Sequence, residues 1–166
     1  MLAPATHLVA RFVAQAEAVG ARVMMVAAGE LVGALEDAAE GAHGLGVTTE
    51  VRRHWPLSRA IERRGGEWPE VAVSLSPLGI AAAGSVVVAE RTYRDRLLCL
   101  LCVRHIVILH HVDLVEDTAA AMPWLGAHPE HRYVTFVTGP SRTSDIERIL
   151  SVGVHGPREL VILLTE

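Results

Sequence analysis

Short aliphatic runs recur along this chain, each closed off by turn-forming residues and separated from the next by a segment of helical period. Val23–Val26, Val71–Leu75, Ser85–Ala89, Ile106–Leu109 and Leu160–Leu164 are too short for helices, and they are apolar at consecutive rather than alternate positions. A strand that is apolar on both faces has to be covered on both faces, which is where strands of a parallel sheet lie beneath helices. Between the runs, Leu8, Val9, Phe12, Val13, Ala16 and Val19 recur at helical spacing, with Gly20 placed as a C-cap. Glu30–Ala39 carries Leu31, Leu35 and Ala38 on one side and ends at Gly41. This alternation predicts an α/β fold with a mostly parallel sheet flanked by helices.

Other elements are less sharply written. Val47, Thr49 and Val51 alternate as a strand would, Leu57–Arg64 suits a short exposed helix, and Pro77–Ala83 suits a helical turn running into Gly84. Leu97–Val103 is compatible with either period. Ala119–Leu125 reads as a helix capped by Asp117 or Thr118, Tyr133–Val137 as a strand, and Ser144–Leu150 as a short helix. With no internal repeat, linker or low-complexity tail, residues 1–166 are expected to form one domain.

Composition removes several chemistries. All 15 basic side chains are Arg, and Lys is absent. No Schiff-base lysine, lysine general base or P-loop lysine can therefore come from these residues. A net charge of −4 with no basic stripe argues against a nucleic-acid partner. Cys99 and Cys102 sit inside the apolar run Leu97–Val103, where buried, inert thiols are expected rather than a redox pair. Two cysteines cannot ligate a four-Cys cluster, so no cofactor is expected through the chain's own thiols. The first residues lack a signal-peptide pattern and no apolar run approaches the ~20 residues of a membrane span, which predicts a cytoplasmic protein.

Special residues concentrate between Gly139 and Pro157: Gly139-Pro-Ser-Arg-Thr-Ser-Asp-Ile-Glu147, then Gly153-Val-His-Gly-Pro157. The stretch begins where a strand is expected to end, and ligands of open α/β sheets sit beyond the carboxyl ends of strands. Ser144 and Glu147 fit a capping box, which would leave amides free beside Ser141, Arg142 and Thr143 for an anion. Arg142 can grip a carboxylate or phosphate with two hydrogen bonds. A tight turn with a capped helix accounts for the same residues, with Arg142 paired to Asp145 or Glu147. His155, between glycines, suits an acid–base group or a turn hydrogen bond. Both readings stand.

This ordered pattern resembles the signature of the LUD domain, the family of the lactate-utilisation protein C. Ile80-Ala-Ala-Ala-Gly84-Ser85 resembles the family's Ile-Ala-acidic-Thr-Gly-Thr segment before a strand, and His105-Ile106 resembles its His-Ile strand start. Ala82 and Ala83 stand where the family carries the acidic residue and Thr, and Cys102-Val-Arg104 where relatives commonly carry Pro. The resemblance implies a fold similar to ribose-5-phosphate isomerase and the CoA transferases. It also implies a role in oxidising L-lactate to pyruvate beside separate iron–sulfur proteins. Gly84, Ser85 and His105 join Ser141, Arg142, Thr143, Ser144, Asp145, Glu147 and His155 as candidate ligand-binding residues.

Three functions follow as expectations. The first is an accessory subunit of lactate oxidation that binds a small anion. The second is a stand-alone isomerase- or CoA-transferase-like enzyme on a small phosphorylated or CoA substrate; no catalytic residue can be named for it. The third is a structural module docking an iron–sulfur partner. His110-His111 and His128-Pro-Glu-His131 are expected to be solvated rather than metal ligands.

Overall fold

The computed structural model describes residues 4–27, 29–55, 68–144, 150–152 and 156–166. The chain opens with helix α1 (Pro4–Ala18), strand β1 (Arg22–Val26), helix α2 (Leu31–Ala38), strand β2 (Leu45–Val47) and helix α3 (Thr49–His54). Strands β3 (Val71–Leu75), β4 (Gly79–Ile80) and β5 (Ser85–Val88) come next, then helix α4 (Tyr93–Leu101) and strand β6 (Arg104–His110). Strand β7 (Leu114–Val115), helix α5 (Thr118–Ala127) and strands β8 (Thr135–Val137), β9 (Arg142–Ser144), β10 (Leu150–Val152) and β11 (Glu159–Thr165) complete it.

Five strands form the main sheet in the order β1-β11-β6-β3-β2, every neighbouring pair parallel. Four of the five aliphatic runs thus occupy the parallel sheet that their two-sided apolarity requires, whereas Ser85–Ala89 supplies β5 of a smaller sheet, antiparallel to both its neighbours. Ile106, Ile108, Val161 and Leu163 face the layer of α2 and α3, packing with Leu31, Leu35 and Val51. The alternate residues Val107, Leu109, Ile162 and Leu164 face Phe12 and Ala16 of α1, together with Val86 and Leu114. Those last two belong to a smaller sheet of order β7-β4-β5-β8, which covers that face and is itself covered by α5 through Ile80, Val87 and Ala121. Phe12 is fully buried at this junction; a side chain of that size contributes about 1.5–3 kcal/mol by leaving water.

Two glycines fix how α1 sits on the smaller sheet. Gly84 has φ +62° and Gly139 φ +69°. A Cβ on Gly84 would collide with the α1 backbone at Gln15 and Ala16, and one on Gly139 with the Val19 carbonyl. Only glycine permits both the left-handed backbone and the close approach.

Several expectations change. Thr49 and Val51 lie in α3 rather than a strand: β2 ends at Val47, and Thr48, extended at φ −71° and ψ 160°, leads straight into the helix. Gly79 and Ile80 pair with Val86 and Ser85, so Pro77–Ala83 holds a short strand instead of a helical turn. The undecided run at Leu97 belongs to α4, whose start is capped by Thr92 Oγ1 accepting from the Asp95 amide at 3.1 Å. Ser144 and Leu150, expected as the ends of one helix, are paired residues of the antiparallel β9–β10 ribbon. Leu57–Arg64 lies outside the described residues.

Candidate functional site

A cavity of about 720 Å³ opens between α4, β8 and the end of the smaller sheet. Its walls come from parts of the chain far apart in sequence: Arg96 and Cys99 from α4, His105 from β6, Phe136 from β8, Ser141 beyond it, and Gly156 before β11. The Gly139–Pro157 stretch thus reaches a cavity at both of its ends. The Ser141 amide donates to the Pro157 carbonyl at 2.8 Å, closing the two ends on each other. That bond takes the Ser141 amide, one of the groups expected to be free for an anion.

Among the described residues the cation lining the cavity is Arg96, just before the run Leu97–Val103. Its guanidinium lies 4.1 Å from the Tyr133 ring centroid and 5.9 Å from that of Tyr93. Such stacking holds the cation at a fixed place without neutralising it. Among the described residues no carboxylate lies within ion-pair distance of it. The nearest sequence signal was the pairing of Arg with Tyr at Tyr93-Arg-Asp-Arg96, which acquires meaning only when Tyr133 arrives from another element.

His105 forms the deep wall. It is 1 % exposed, and its Nε2 lies 2.8 Å from Ser74 Oγ. Burial pushes its pKa down to about 4, so the ring is neutral at pH 7. Among the described residues Ser74 is its hydrogen-bond partner, and the ring faces the cavity. Ser85 stands one layer behind: its hydroxyl meets Thr138 Oγ1 at 2.7 Å, and Thr138 lines the cavity. Gly84 is not among the described lining residues, and its role is the packing against α1 given above. Arg142, Thr143 and Ser144 enter the site's surroundings as the backbone of β9, while Asp145, Glu147 and His155 lie outside the described residues.

A second polar group lies behind Cys99. Glu90 is buried, and burial first, then Asp95 and Glu50, raise its pKa to about 7. The Thr48 hydroxyl is near enough to pull that value down, yet Glu90 Oε2 and Thr48 Oγ1 both lack a hydrogen-bond partner of proper geometry among the described residues. Cys99 and Cys102 are both buried. Burial, more than the neighbouring Glu90, drives the Cys99 thiol well above its ordinary value, and burial pushes Cys102 up to about 12. Both thiols are buried, as expected.

The paired histidines bond to backbone. His128 Nδ1 lies 2.8 Å from the Trp124 carbonyl, with its ring stacked on Trp124 at 4.4 Å. His131 Nδ1 lies 2.5 Å from the Ala89 carbonyl, His110 Nδ1 3.2 Å from the Glu166 carbonyl and His111 Nδ1 3.1 Å from the Thr165 carbonyl.

The LUD domain model matches residues 69–165, a segment that contains every described residue of the cavity wall. The chain belongs to the LUD domain family. It is similar to lactate utilization protein C of Geobacillus sp. strain WCH70, 26 % identical over 135 residues, covering 72 % of this chain and 56 % of that protein. Lactate utilization protein C of Deinococcus radiodurans is 29 % identical over 160 residues, covering 87 % of this chain and 73 % of that protein. The chain spans about half the length of several such LUD relatives, 56 % and 43 % in two from Geobacillus. A crystal structure of a DUF162 family protein from Deinococcus radiodurans superposes with a TM-score of 0.75 at 19 % identity, covering 99 % of this chain and all of that one. That likeness supports the α/β fold with its mostly parallel sheet.

Proposed function

We propose that this LUD chain is a ligand-binding component of a lactate-utilisation system, acting in L-lactate oxidation to pyruvate beside separate iron–sulfur proteins. On this reading the cavity between α4 and the Gly139–Pro157 stretch holds an anionic ligand. The observation that carries it is the Arg96 guanidinium, stacked on Tyr133 and without a carboxylate partner among the described residues, lining the same cavity as Ser141. A cation held in place at a partly apolar cavity favours an anion over a neutral guest. The relatives named lactate utilization protein C support the pathway. Arg142, next in sequence to Ser141, and His155, next to Gly156, are proposed as further ligand contacts.

Thermal-shift titrations with L-lactate, pyruvate, coenzyme A and ribose 5-phosphate test the reading. At least one anion is expected to raise the melting temperature of the wild type, and the shift is expected to vanish in Arg96→Ala and weaken in Ser141→Ala. No shift from any anion, or a shift indifferent to Arg96→Ala, would overturn it. Co-purification with an iron–sulfur protein from the native cell tests the partner.

A further inference from the structure

The size and walls of the cavity say more about its guest than its charge does. L-lactate has roughly six non-hydrogen atoms, whereas cavities of the ~300–1,000 Å³ class accommodate molecules the size of cofactors. At about 720 Å³ this one is far too large for lactate alone. Its surfaces are also wrong for a compact, fully hydrated hydroxy acid. Val88, Leu97, Leu100, Phe136, Val137 and Leu160 supply aliphatic and aromatic wall. Tyr93 and Tyr133 stand at the rim, 69 % and 63 % exposed, as aromatic surface held open to solvent. Among the described residues, a cation, Arg96, and a neutral imidazole, His105, stand against that apolar lining. His105 is wholly buried, its Nε2 is committed to Ser74, and among the described residues Nδ1 has no partner, which leaves a single hydrogen-bonding position at the deep wall.

Resting on the reading that the cavity binds an anion, we propose that its guest is a planar, largely apolar ring system carrying an anionic group, several times the size of L-lactate. The ring lies against Tyr133 and Phe136, the anionic group meets Arg96, and a polar ring substituent reaches His105. Aromatic and aliphatic walls suit an apolar ring, and the Arg96 guanidinium suits its negative group.

Isothermal titration calorimetry with 2-naphthoate, its neutral isostere 2-naphthamide and L-lactate decides the matter. The wild type is expected to bind 2-naphthoate at least about tenfold more tightly than 2-naphthamide. Arg96→Gln should erase that preference, Tyr133→Ala should weaken both naphthalenes, and L-lactate should fail to displace 2-naphthoate. The isostere comparison is made on the wild type, so it stands even if a variant folds poorly. Equal binding of the two naphthalenes, or 2-naphthoate binding indifferent to Arg96→Gln and Tyr133→Ala, overturns the inference. If L-lactate or a sugar phosphate binds through Arg96 and 2-naphthoate does not, the inference falls while the anion site stands. If no anion binds, both fall.

Discussion

The imidazole of His105 and the hydroxyl of Ser74 meet at 2.8 Å across two neighbouring parallel strands, both side chains buried on the face that looks toward the cavity. Ser74 is the polar residue in an otherwise aliphatic strand, and the hydrogen bond accounts for its tolerance there. Ser74→Ala leaves a buried ring nitrogen unsatisfied and is expected to cost about 1–3 kcal/mol of stability, read from urea unfolding at pH 7.5.

His105 also gives stability a dependence on pH. Its folded pKa, about 4, lies below the ordinary 6.5. The unfolded chain therefore binds the proton first, and the contribution is fully present above pH 6.5 and lost as pH falls toward 4. The loss is on the order of 3 kcal/mol. Measured in a Glu90→Gln background, unfolding free energy should fall across that window, and adding His105→Gln should flatten the slope.

Glu90 acts with the opposite sign. Its folded pKa, about 7, lies above the ordinary 4.5. The native state keeps a proton that the unfolded chain releases, so stability is fully present below pH 4.5 and is lost as pH rises through 7. Glu90→Gln, neutral at every pH, should exceed the wild type by on the order of 2–3 kcal/mol at pH 8 and match it near pH 4. Equal urea midpoints at pH 8 would show that the carboxylate is relieved by water or a partner.

At Gly84 the left-handed backbone and the contact with α1 act together. Gly84→Ala should destabilise by more than about 1 kcal/mol from backbone strain, with overpacking adding about 1–3 kcal/mol. Gly33→Ala in α2, where a Cβ meets open space, should instead stabilise by about 0.5–1 kcal/mol. Chemical denaturation of the two variants gives the comparison.

Cys99 and Cys102 should react with Ellman's reagent far more slowly in the native protein than in urea, because burial withholds both access and the thiolate. Rapid native labelling of Cys99 would instead mean that the cavity opens to the helix interior.

What the sequence determined by itself was the main sheet. Runs such as Ile106–Leu109 and Leu160–Leu164 carry their burial on every residue, and a chain that hides both faces of several short strands has few architectures open to it. It also marked Ser141 and the Gly139–Pro157 stretch, since a polar, glycine-rich segment after a strand is a local signal; His105 was marked only by resemblance to the LUD family's His-Ile strand start. Tertiary structure alone decided the rest. Val51 belongs to a helix because β2 stops four residues earlier, at Val47, and Ser144 pairs in a ribbon because Leu150 returns beside it. Arg96 becomes the cation of a cavity only when β8 brings Tyr133 within stacking distance, 37 residues away by the numbers 96 and 133. Glu90 is raised, by burial first and then by Asp95 and Glu50, only once folding withdraws water from its carboxyl. Local periodicity records what each segment must bury; it holds no record of which distant side chain will share the space, and charge, stacking and pKa depend on that neighbour.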